Sequence, residues 1–140
     1  MSAYSERIVT EFRANRGTLT TGNFARNIIL VHHVGVADGV ERVAPLYAQA
    51  YDEGWTVVAA NSGLDEHPKW LPDFMANSGI VVEFPDDDND VGKAVVDVSE
   101  VPDGDWDDEW AAFLDRAPGF ADYQSTTERR LPILKLRRRP

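Results

Sequence analysis

Hydrophobic and polar residues recur along the chain with two different spacings. Helical spacing places Ile8 and Phe12 on one face of residues 3–15, which predicts an amphipathic N-terminal helix. Residues 27–34 are rich in aliphatic and β-branched side chains, which predicts a buried strand, and Asp38-Gly39 after it predicts a hairpin turn. The chain therefore opens with one helix that is followed by antiparallel strands.

The same two spacings divide the rest of the chain into short strands and helices. A helix that carries Pro68 and Trp70 is expected after the third strand, and Asp105 is expected to cap a helix that ends at Ala117. The core face of that later helix is predicted to consist of Trp106, Trp110, Phe113 and Leu114. Further strands are predicted at residues 42–50, 55–60, 79–84, 91–98 and 131–136, and a short helical segment at 120–127.

The order of these elements is mostly antiparallel. It predicts an α+β fold, a small barrel of about six strands with flanking helices. At 140 residues the chain is long enough for one domain with its own core, so residues 1–140 are expected to form a single domain. The helix at 3–15 is expected to pack on the barrel, in preference to a second subunit or a lipid surface.

Composition and charge exclude several classes of function. The net charge of −10 repels phosphates, so nucleic-acid binding is not expected. The chain has no cysteine, no signal peptide and no apolar run of membrane-spanning length, so a cytoplasmic protein is expected. Arg137-Arg138-Arg139 is the one basic cluster, and we expect it to be a solvated tail after the last strand.

Metal and nucleophile chemistry lack a signature in the sequence. His32 and His33 are adjacent, so on a strand they point to opposite faces and cannot share one ion. The acidic segment 86–90 lacks the glycine and the terminal glutamate of an EF-hand loop, and a hairpin turn is expected there. Ser62 lies outside any G-x-S-x-G motif and has no paired base. Neither a metal site nor a hydrolase is therefore expected.

The segment from Trp55 to Asn77 holds the clearest candidate for ligand binding. Its strand opens through Asn61-Ser62-Gly63 toward a helix, and the first N–H groups of a helix have no partner within it. Glycine at position 63 permits backbone conformations closed to other residues and lets a ligand approach the main chain. The alternative is an ordinary strand-to-helix turn, which geometry alone favours.

Three blocks of residues resemble the deazaflavin-dependent nitroreductase family, whose cofactor is coenzyme F420. The first resembles the family's strand, glycine turn and Pro-x-Trp helix, and the second its Tyr-Gln…Thr-Asp-Arg…Ile-Pro ending. The third, residues 35–47, matches the family's hairpin in spacing. The matching residues are Ala59-Ala60-Asn61-Ser62-Gly63, Pro68-Lys69-Trp70 and Ala76-Asn77, then Tyr123-Gln124, Thr127-Glu128-Arg129 and Leu131-Pro132-Ile133, and finally Gly35, Gly39, Arg42, Pro45, Leu46 and Tyr47.

The resemblance implies the split β-barrel of the flavin and deazaflavin reductases. It implies an F420H2-dependent reductase, in which hydride passes from reduced deazaflavin to a quinone, enone or nitroaromatic acceptor. Arg42 is implied to anchor the cofactor phosphate, and Tyr47 and Tyr123 are implied to be catalytic residues that shape the acceptor site, either of which could donate a proton. The implied cofactor-binding residues are Val36, Ala37, Asp38, Arg42, Ala44, Pro45, Leu46, Ala59, Ala60, Asn61, Ser62, Gly63, Pro68 and Trp70.

The hairpin departs from the family where the cofactor tail is expected to bind. The family's Arg-Lys-Ser triplet is replaced by Val36-Ala37-Asp38, so two cations are lost and one acid is gained. A charged hydrogen bond contributes roughly 1.5–3 kcal/mol, so tail binding is expected to weaken by about two decades or more. Two alternatives stay open, a barrel that binds FMN and a cofactor-free barrel that binds another ligand or a partner. The oligomeric state is open too, with a homodimer as one outcome.

Overall fold

The computed structural model describes residues 2–22 and 24–140. Their strands form one curled antiparallel sheet in the order β2-β1-β5-β6-β7-β4-β3. The predicted α+β barrel is confirmed, with seven strands where about six were predicted. The strands are β1 Ile28–Val34, β2 Glu41–Tyr47, β3 Gln49–Tyr51, β4 Gly54–Val58, β5 Ile80–Pro85, β6 Val91–Glu100 and β7 Ile133–Arg138.

The additional strand arises because the predicted strand 42–50 bends at Ala48. Before the bend, β2 pairs along its whole length with β1. After it, Gln49 lies opposite Thr56 of β4, while the Ala48 N–H donates to the carbonyl of Asn27 at 2.9 Å. The two halves of the predicted strand therefore lie at opposite edges of the sheet, and the sheet curls so that one chain segment can join them.

Four helices flank the sheet within the described residues: α1 Ala3–Ala14, α2 Leu71–Ala76, α3 Trp106–Arg116 and α4 Phe120–Ser125. The prediction that one helix carries Pro68 and Trp70 is wrong, because α2 begins only at Leu71. Residues 61–63 form a separate 3-10 turn. The residue before a proline avoids helical dihedral angles, so a helix could not run through Pro68. Pro72, by contrast, lies in the first turn of α2, where a missing N–H costs nothing.

Helix α1 lies against the sheet through the apolar face that the sequence predicts. Ile8, Val9 and Phe12 are buried in one cluster with Ile28 and Leu30 of β1. The observed bounds, Ala3–Ala14, agree with the predicted helix at 3–15. The extent of the domain, residues 1–140, stays a prediction.

An ionic network fastens the end of α1 to the sheet. Arg13 NH2 lies 3.0 Å from Glu83 Oε2 on β5, and His32 Nε2 on β1 lies 2.6 Å from the same oxygen. Burial by itself would raise the pKa of Glu83, but the hydrogen bonds from His32 and Arg13 outweigh it and lower the pKa below its usual value. The Glu83 carboxylate thus links one helix and two strands.

Helix α3 begins where the sequence predicts, but without the predicted cap. Asp105 makes no side-chain cap bond, because a 3-10 turn at residues 103–105 leads directly into the helix. Trp106 and Phe113 are buried in one cluster, and Trp110 packs against it. Three residues of the predicted core face of α3 are therefore confirmed, whereas the fourth, Leu114, is half-buried and lies outside this cluster.

The three C-terminal arginines differ from the predicted solvated tail. Arg137 and Arg138 belong to β7. Arg137 Nε lies 2.7 Å from Glu53 Oε2, and Arg139 NH2 lies 2.8 Å from Asp97 Oδ1. The basic cluster is visible in the sequence, but the acids opposite it come from distant segments.

The two adjacent histidines face opposite sides of β1, as predicted, since His32 contacts Glu83 and His33 contacts Asp73. In residues 2–22 and 24–140, no three or more histidine, aspartate or glutamate side chains are grouped so that they could hold a metal ion. None of the helices in those residues has the length and apolar character needed to cross a membrane.

Candidate active site

Two adjoining cavities lie between α1, β2 and the loop that leads into α2. The large cavity, of about 1200 Å³, lies beside the β1–β2 hairpin. The small cavity, of about 260 Å³, lies at the end of β4. Because Ser5, Pro45, Leu46 and Trp70 line both, the two cavities form one groove.

Most backbone N–H groups of the β1–β2 hairpin are used within the protein. Gly39 has a φ of +69°, a left-handed conformation that suits glycine in this tight turn. The N–H groups of Ala37 and Asp38 donate to no other residue in the part of the chain that the structure describes. The N–H groups that donate to protein acceptors are those of Gly35, Val36, Gly39 and Val40. The hairpin therefore offers little free main chain to a ligand.

Arg42 lines the large cavity, but Asp38 already binds its guanidinium group. Arg42 NH2 lies 2.5 Å from Asp38 Oδ2, and NH1 lies 3.2 Å from Oδ1. The bonds from Arg42 and from the Val40 N–H lower the pKa of Asp38 to about 2, so the aspartate is ionised at neutral pH. Asp38 therefore offsets the positive charge of the arginine that was expected to bind the cofactor phosphate.

A buried histidine–aspartate pair also lines the large cavity. His33 Nδ1 lies 3.0 Å from Asp73 Oδ2, and the two side chains are only 5% and 11% exposed. The second oxygen of Asp73 accepts from the Val36 N–H at 3.0 Å. The pair thereby joins β1, α2 and the hairpin. Sequence reasoning took His33 as a structural or surface residue and not as a ligand, although strand alternation together with the hairpin register could have located it beside Arg42.

Lys69 is a further cation of the large cavity that sequence reasoning missed. Its side chain is exposed, and it has no ion-pair partner among the described residues. Arg13, which lines the same cavity, is instead paired with Glu83. The signal for Lys69 was its place between the proline and the tryptophan of the matched motif.

The turn after β4 is built from three consecutive residues with positive φ. The φ angles are 47° at Asn61, 55° at Ser62 and 77° at Gly63. Such angles strain residues other than glycine, so the surrounding structure must hold them. The Gly63 N–H donates to the Ala60 carbonyl at 2.9 Å, and the Leu64 N–H to the Asn61 carbonyl at 3.1 Å. The helix N-terminus expected here is replaced by this closed turn.

Gly63 packs against α4 and lines neither cavity, so its expected role in cofactor binding stays a prediction. A Cβ at this position would lie 2.6 Å from the carbonyl oxygen of Tyr123 and would also clash with Thr126 Oγ1. The Thr126 hydroxyl donates to the Gly63 carbonyl at 2.7 Å. Glycine is therefore needed for the close approach of protein to protein.

Arg129 holds the same turn with its guanidinium group. Its NH1 and NH2 donate to the carbonyls of Ala59 at 3.2 Å and Ala60 at 2.7 Å, and its Nε donates to the carbonyl of Leu64 at 2.8 Å. Burial lowers the pKa of Arg129, and nearby Asp65 offsets this only in part. Sequence reasoning matched Arg129 to a motif but gave it no role, because its partners are 65 to 70 residues away.

The two predicted catalytic tyrosines both line the small cavity. Phe120 lies between them, with ring centroids 5.5 Å from Tyr47 and 5.3 Å from Tyr123. The Tyr47 hydroxyl accepts from Gln49 Nε2 at 3.4 Å. Tyr123 is 38% exposed, and its hydroxyl has no partner among the described residues. The hydroxyl of Tyr123 is thus the freer of the two.

The predicted site residues are distributed along the whole groove. Ala59 and Gly63 line neither cavity. Both are buried, Ala59 just before the turn at residues 61–63 and Gly63 as its last residue. The roles of all the predicted residues in binding and catalysis stay predictions. The large cavity is lined by Val36, Ala37, Asp38, Arg42 and Ala44, the small cavity by Tyr47, Ala60, Asn61, Ser62, Pro68 and Tyr123, and both by Pro45, Leu46 and Trp70.

Comparisons with known proteins agree with this architecture. A family model described as F420H(2)-dependent quinone reductase matches residues 5–137. A solved structure described as a domain-swapped dimer is 24% identical, with a TM-score of 0.68, over 94% of this chain and 96% of its own. The F420-H2 dependent reductase FDR-A is 24% identical, with a TM-score of 0.66, over 79% and 94%. The heme storage protein HutZ from Vibrio cholerae is 14% identical, with a TM-score of 0.62, over 97% and 91%. At these identities the three structures show a shared fold.

The family match spans nearly the whole chain and confirms the predicted resemblance to F420-dependent reductases. The three blocks that carried the resemblance, within residues 35–47, 59–77 and 123–133, all lie inside the matched range. The protein is accordingly an oxidoreductase, and its cofactor is F420. The chain belongs to the F420H2-dependent quinone reductase family.

Proposed function

We propose that this reductase transfers hydride from F420H2 to a quinone, and that enones and nitroaromatic compounds are further acceptors. The supporting observation is the division of the groove: the charged side chains line the large cavity, and three tyrosines, Tyr4, Tyr47 and Tyr123, line the small one. The cofactor has the same division, with an anionic tail and a flat ring. We therefore assign the tail to the large cavity and the ring, with the acceptor, to the small one.

The residues of the groove fit this cofactor. Apolar walls from Ala44, Leu46 and Trp70 run through the large cavity, and Arg42 and Lys69 supply positive charge along them. Phosphate and carboxylate groups are bound best by such charged donors. The fit is weakest at the tail, because Asp38 competes with the phosphate for Arg42.

Reduced F420 supplies the hydride when it is bound, and the protein orients the reactants, excludes water and provides a proton. Trp70 is held at the junction of the two cavities by its contact with the ring of Phe74, with ring centroids 4.4 Å apart and the planes tilted by 31°. We assign Tyr123 Oη as the proton donor to the acceptor, since of the two tyrosines that the family motifs mark it is the one whose hydroxyl has no protein partner. Tyr47, whose hydroxyl is bonded to Gln49, shapes the acceptor site.

The first test is a titration of the purified protein with F420 and, separately, with FMN, followed by tryptophan fluorescence at low and high salt. Micromolar binding of F420 without a response to FMN supports the proposal. Binding of FMN alone, or of neither cofactor by folded protein, contradicts it.

The second test addresses the proton donor. We expect Tyr123→Phe to lower kcat for quinone reduction by about 10²-fold, the usual contribution of a general acid, while the Kd for F420 stays unchanged. Tyr51→Phe is the matched control, because Tyr51 lies outside both cavities. Equal turnover by the two variants would contradict the assignment of Tyr123.

Dimerisation is a separate proposal, supported by the likeness to a domain-swapped dimer. Light scattering across a range of protein concentrations would measure the mass in solution. A mass of twice 15.6 kDa supports the homodimer, and a monomer at every concentration contradicts it.

A further inference from the structure

One nitrogen of the buried His33 ring has no role in holding the protein together. Its Nδ1 is bound to Asp73, whereas its Nε2 has no hydrogen-bond partner among the described residues. In that part of the chain, every fully buried side-chain nitrogen has a hydrogen-bond partner. The Nε2 of His33 has none, so it is not fully buried. Since His33 lines the large cavity and Nε2 is not fully buried, we infer that this nitrogen is open to that cavity. A polar side chain that is 6% exposed and directs a free nitrogen into a groove is suited to bind a ligand.

Two cationic side chains that could hold an anionic ligand line the large cavity with His33, together with the acids Asp38, Glu41 and Asp73. His33 lies directly opposite Arg42 in the pairing of β1 with β2, so the two side chains lie on the same face of the sheet, with Cβ atoms about 5 Å apart. Lys69 lines the same cavity. An aspartate carboxylate only accepts hydrogen bonds, so Nδ1 is the nitrogen that donates to Asp73. Nε2 can donate to an anion as well when the ring carries a proton on both nitrogens.

We propose that His33 is a cofactor-binding residue that contacts the anionic phosphate of the F420 tail through Nε2, beside Arg42. The proposal rests on the proposed function. It explains how a hairpin without the family's two cationic side chains retains a tail site: part of the lost positive charge is supplied from β1, behind the hairpin. Asp73 is the positioning residue for this contact.

Two substitutions separate this role from a purely structural one. The amide of His33→Asn can replace Nδ1 and keep the bond to Asp73, but it removes the nitrogen that faces the cavity. The longer His33→Gln can replace Nε2, but it gives up the bond to Asp73. A binding role predicts that the asparagine variant is the worse binder, and a structural role predicts that the glutamine variant is.

The experiment compares F420 with the phosphate-free deazaflavin nucleoside, which retains the ring and the ribityl hydroxyls. We expect His33→Asn to weaken F420 binding about 10-fold, the effect of one lost charged hydrogen bond, with less than about a 2-fold change for the nucleoside. His32→Asn is the matched control, since His32 faces away from the cavity, and it should leave both affinities unchanged. Thermal unfolding of each variant verifies that it is folded.

The wild-type protein supplies a second readout that needs no variant. The chain has three histidines, so their side-chain ¹⁵N resonances are few, and Nε2 of His33 should shift on addition of F420 but not of the nucleoside. Equal weakening of both ligands, a worse effect of His33→Gln, or an unmoved Nε2 resonance would overturn this inference and leave the proposed function intact. Failure of the wild-type protein to bind F420 would overturn both.

Discussion

Replacement of Gly63 by alanine tests whether the turn after β4 is locked against α4. Gly63 has a φ of +77°, and an added Cβ would lie 2.6 Å from the carbonyl oxygen and 3.0 Å from the Cα of Tyr123. Both are main-chain atoms, so no side-chain rotation can relieve the contact, and either the turn or α4 must shift. Because α4 carries Phe120 and Tyr123, such a shift changes the wall of the small cavity.

The expected loss of stability has two parts. An alanine held in the left-handed region costs roughly 1–2 kcal/mol, and overpacking against fixed atoms adds about 1–3 kcal/mol. The free energy of unfolding should therefore fall by about 2–5 kcal/mol. For a chain of 140 residues this corresponds to a decrease in Tm of about 7–17 °C.

Gly39→Ala is the matched control for this substitution. Gly39 has a φ of +69°, and no atom lies within 4 Å of a Cβ built there. The Gly39→Ala variant should lose only the free energy of the left-handed alanine, which corresponds to a decrease in Tm of about 3–7 °C by differential scanning calorimetry. Equal losses in the two variants would refute the packing argument. Full quinone turnover by Gly63→Ala would refute the link between this contact and the small cavity.

The charged groups of the groove and of its supports lead to three more predictions. Asp38→Asn releases Arg42, so F420 should bind about 5- to 10-fold tighter in a fluorescence titration, and weaker binding would contradict the role of Arg42. Arg129→Lys cannot bond three carbonyls at once, so kcat should fall at least about 10-fold, whereas the exposed Arg130→Lys should match the wild type. Because folding lowers the pKa of Glu83 from 4.5, its ionised form stabilises the fold above pH 4.5, and this contribution is lost as the pH falls through the lower folded value. In urea, Glu83→Gln should be less stable than the wild type at pH 7, and a difference that persists undiminished well below pH 4.5 would contradict this assignment.

The strands and hairpins were predictable because their signals are local. The apolar, β-branched run in residues 27–34 and the Asp38-Gly39 pair are enough to specify β1 and its turn, and the structure has both. The helix expected to carry Pro68 and Trp70 failed for a different reason. Small residues at 61–63 were interpreted as the entrance to a helix, whereas three left-handed residues close a turn there. Side chains far along the chain stabilise that turn, and no local pattern reports them.

The candidate site was predictable in outline because the family's motifs mark the walls of the groove. The motifs could not show which charged side chains of the groove form ion pairs with each other. Asp38 was expected to repel the cofactor tail, but it also binds Arg42. The sequence excluded His33 only from a shared metal site, and the fold shows that it pairs with Asp73 and lines the large cavity. Ion pairing and the direction of a ring nitrogen depend on three-dimensional neighbours, and a pattern of residue types does not contain them.

The two ends of the groove are supported in different ways, and this difference explains how the hairpin could change without loss of the rest of the site. The small cavity rests on a turn that Arg129 holds by three carbonyls and that Gly63 joins to α4. The large cavity is bounded by β2, an edge strand, and by an exposed hairpin tip. Substitutions at that tip alter charge but displace no buried group, so they should change the affinity for the cofactor tail. Changes at the turn should instead alter the geometry of the acceptor site. Variants of Asp38 should therefore act on KM for F420, and variants of Gly63 on kcat.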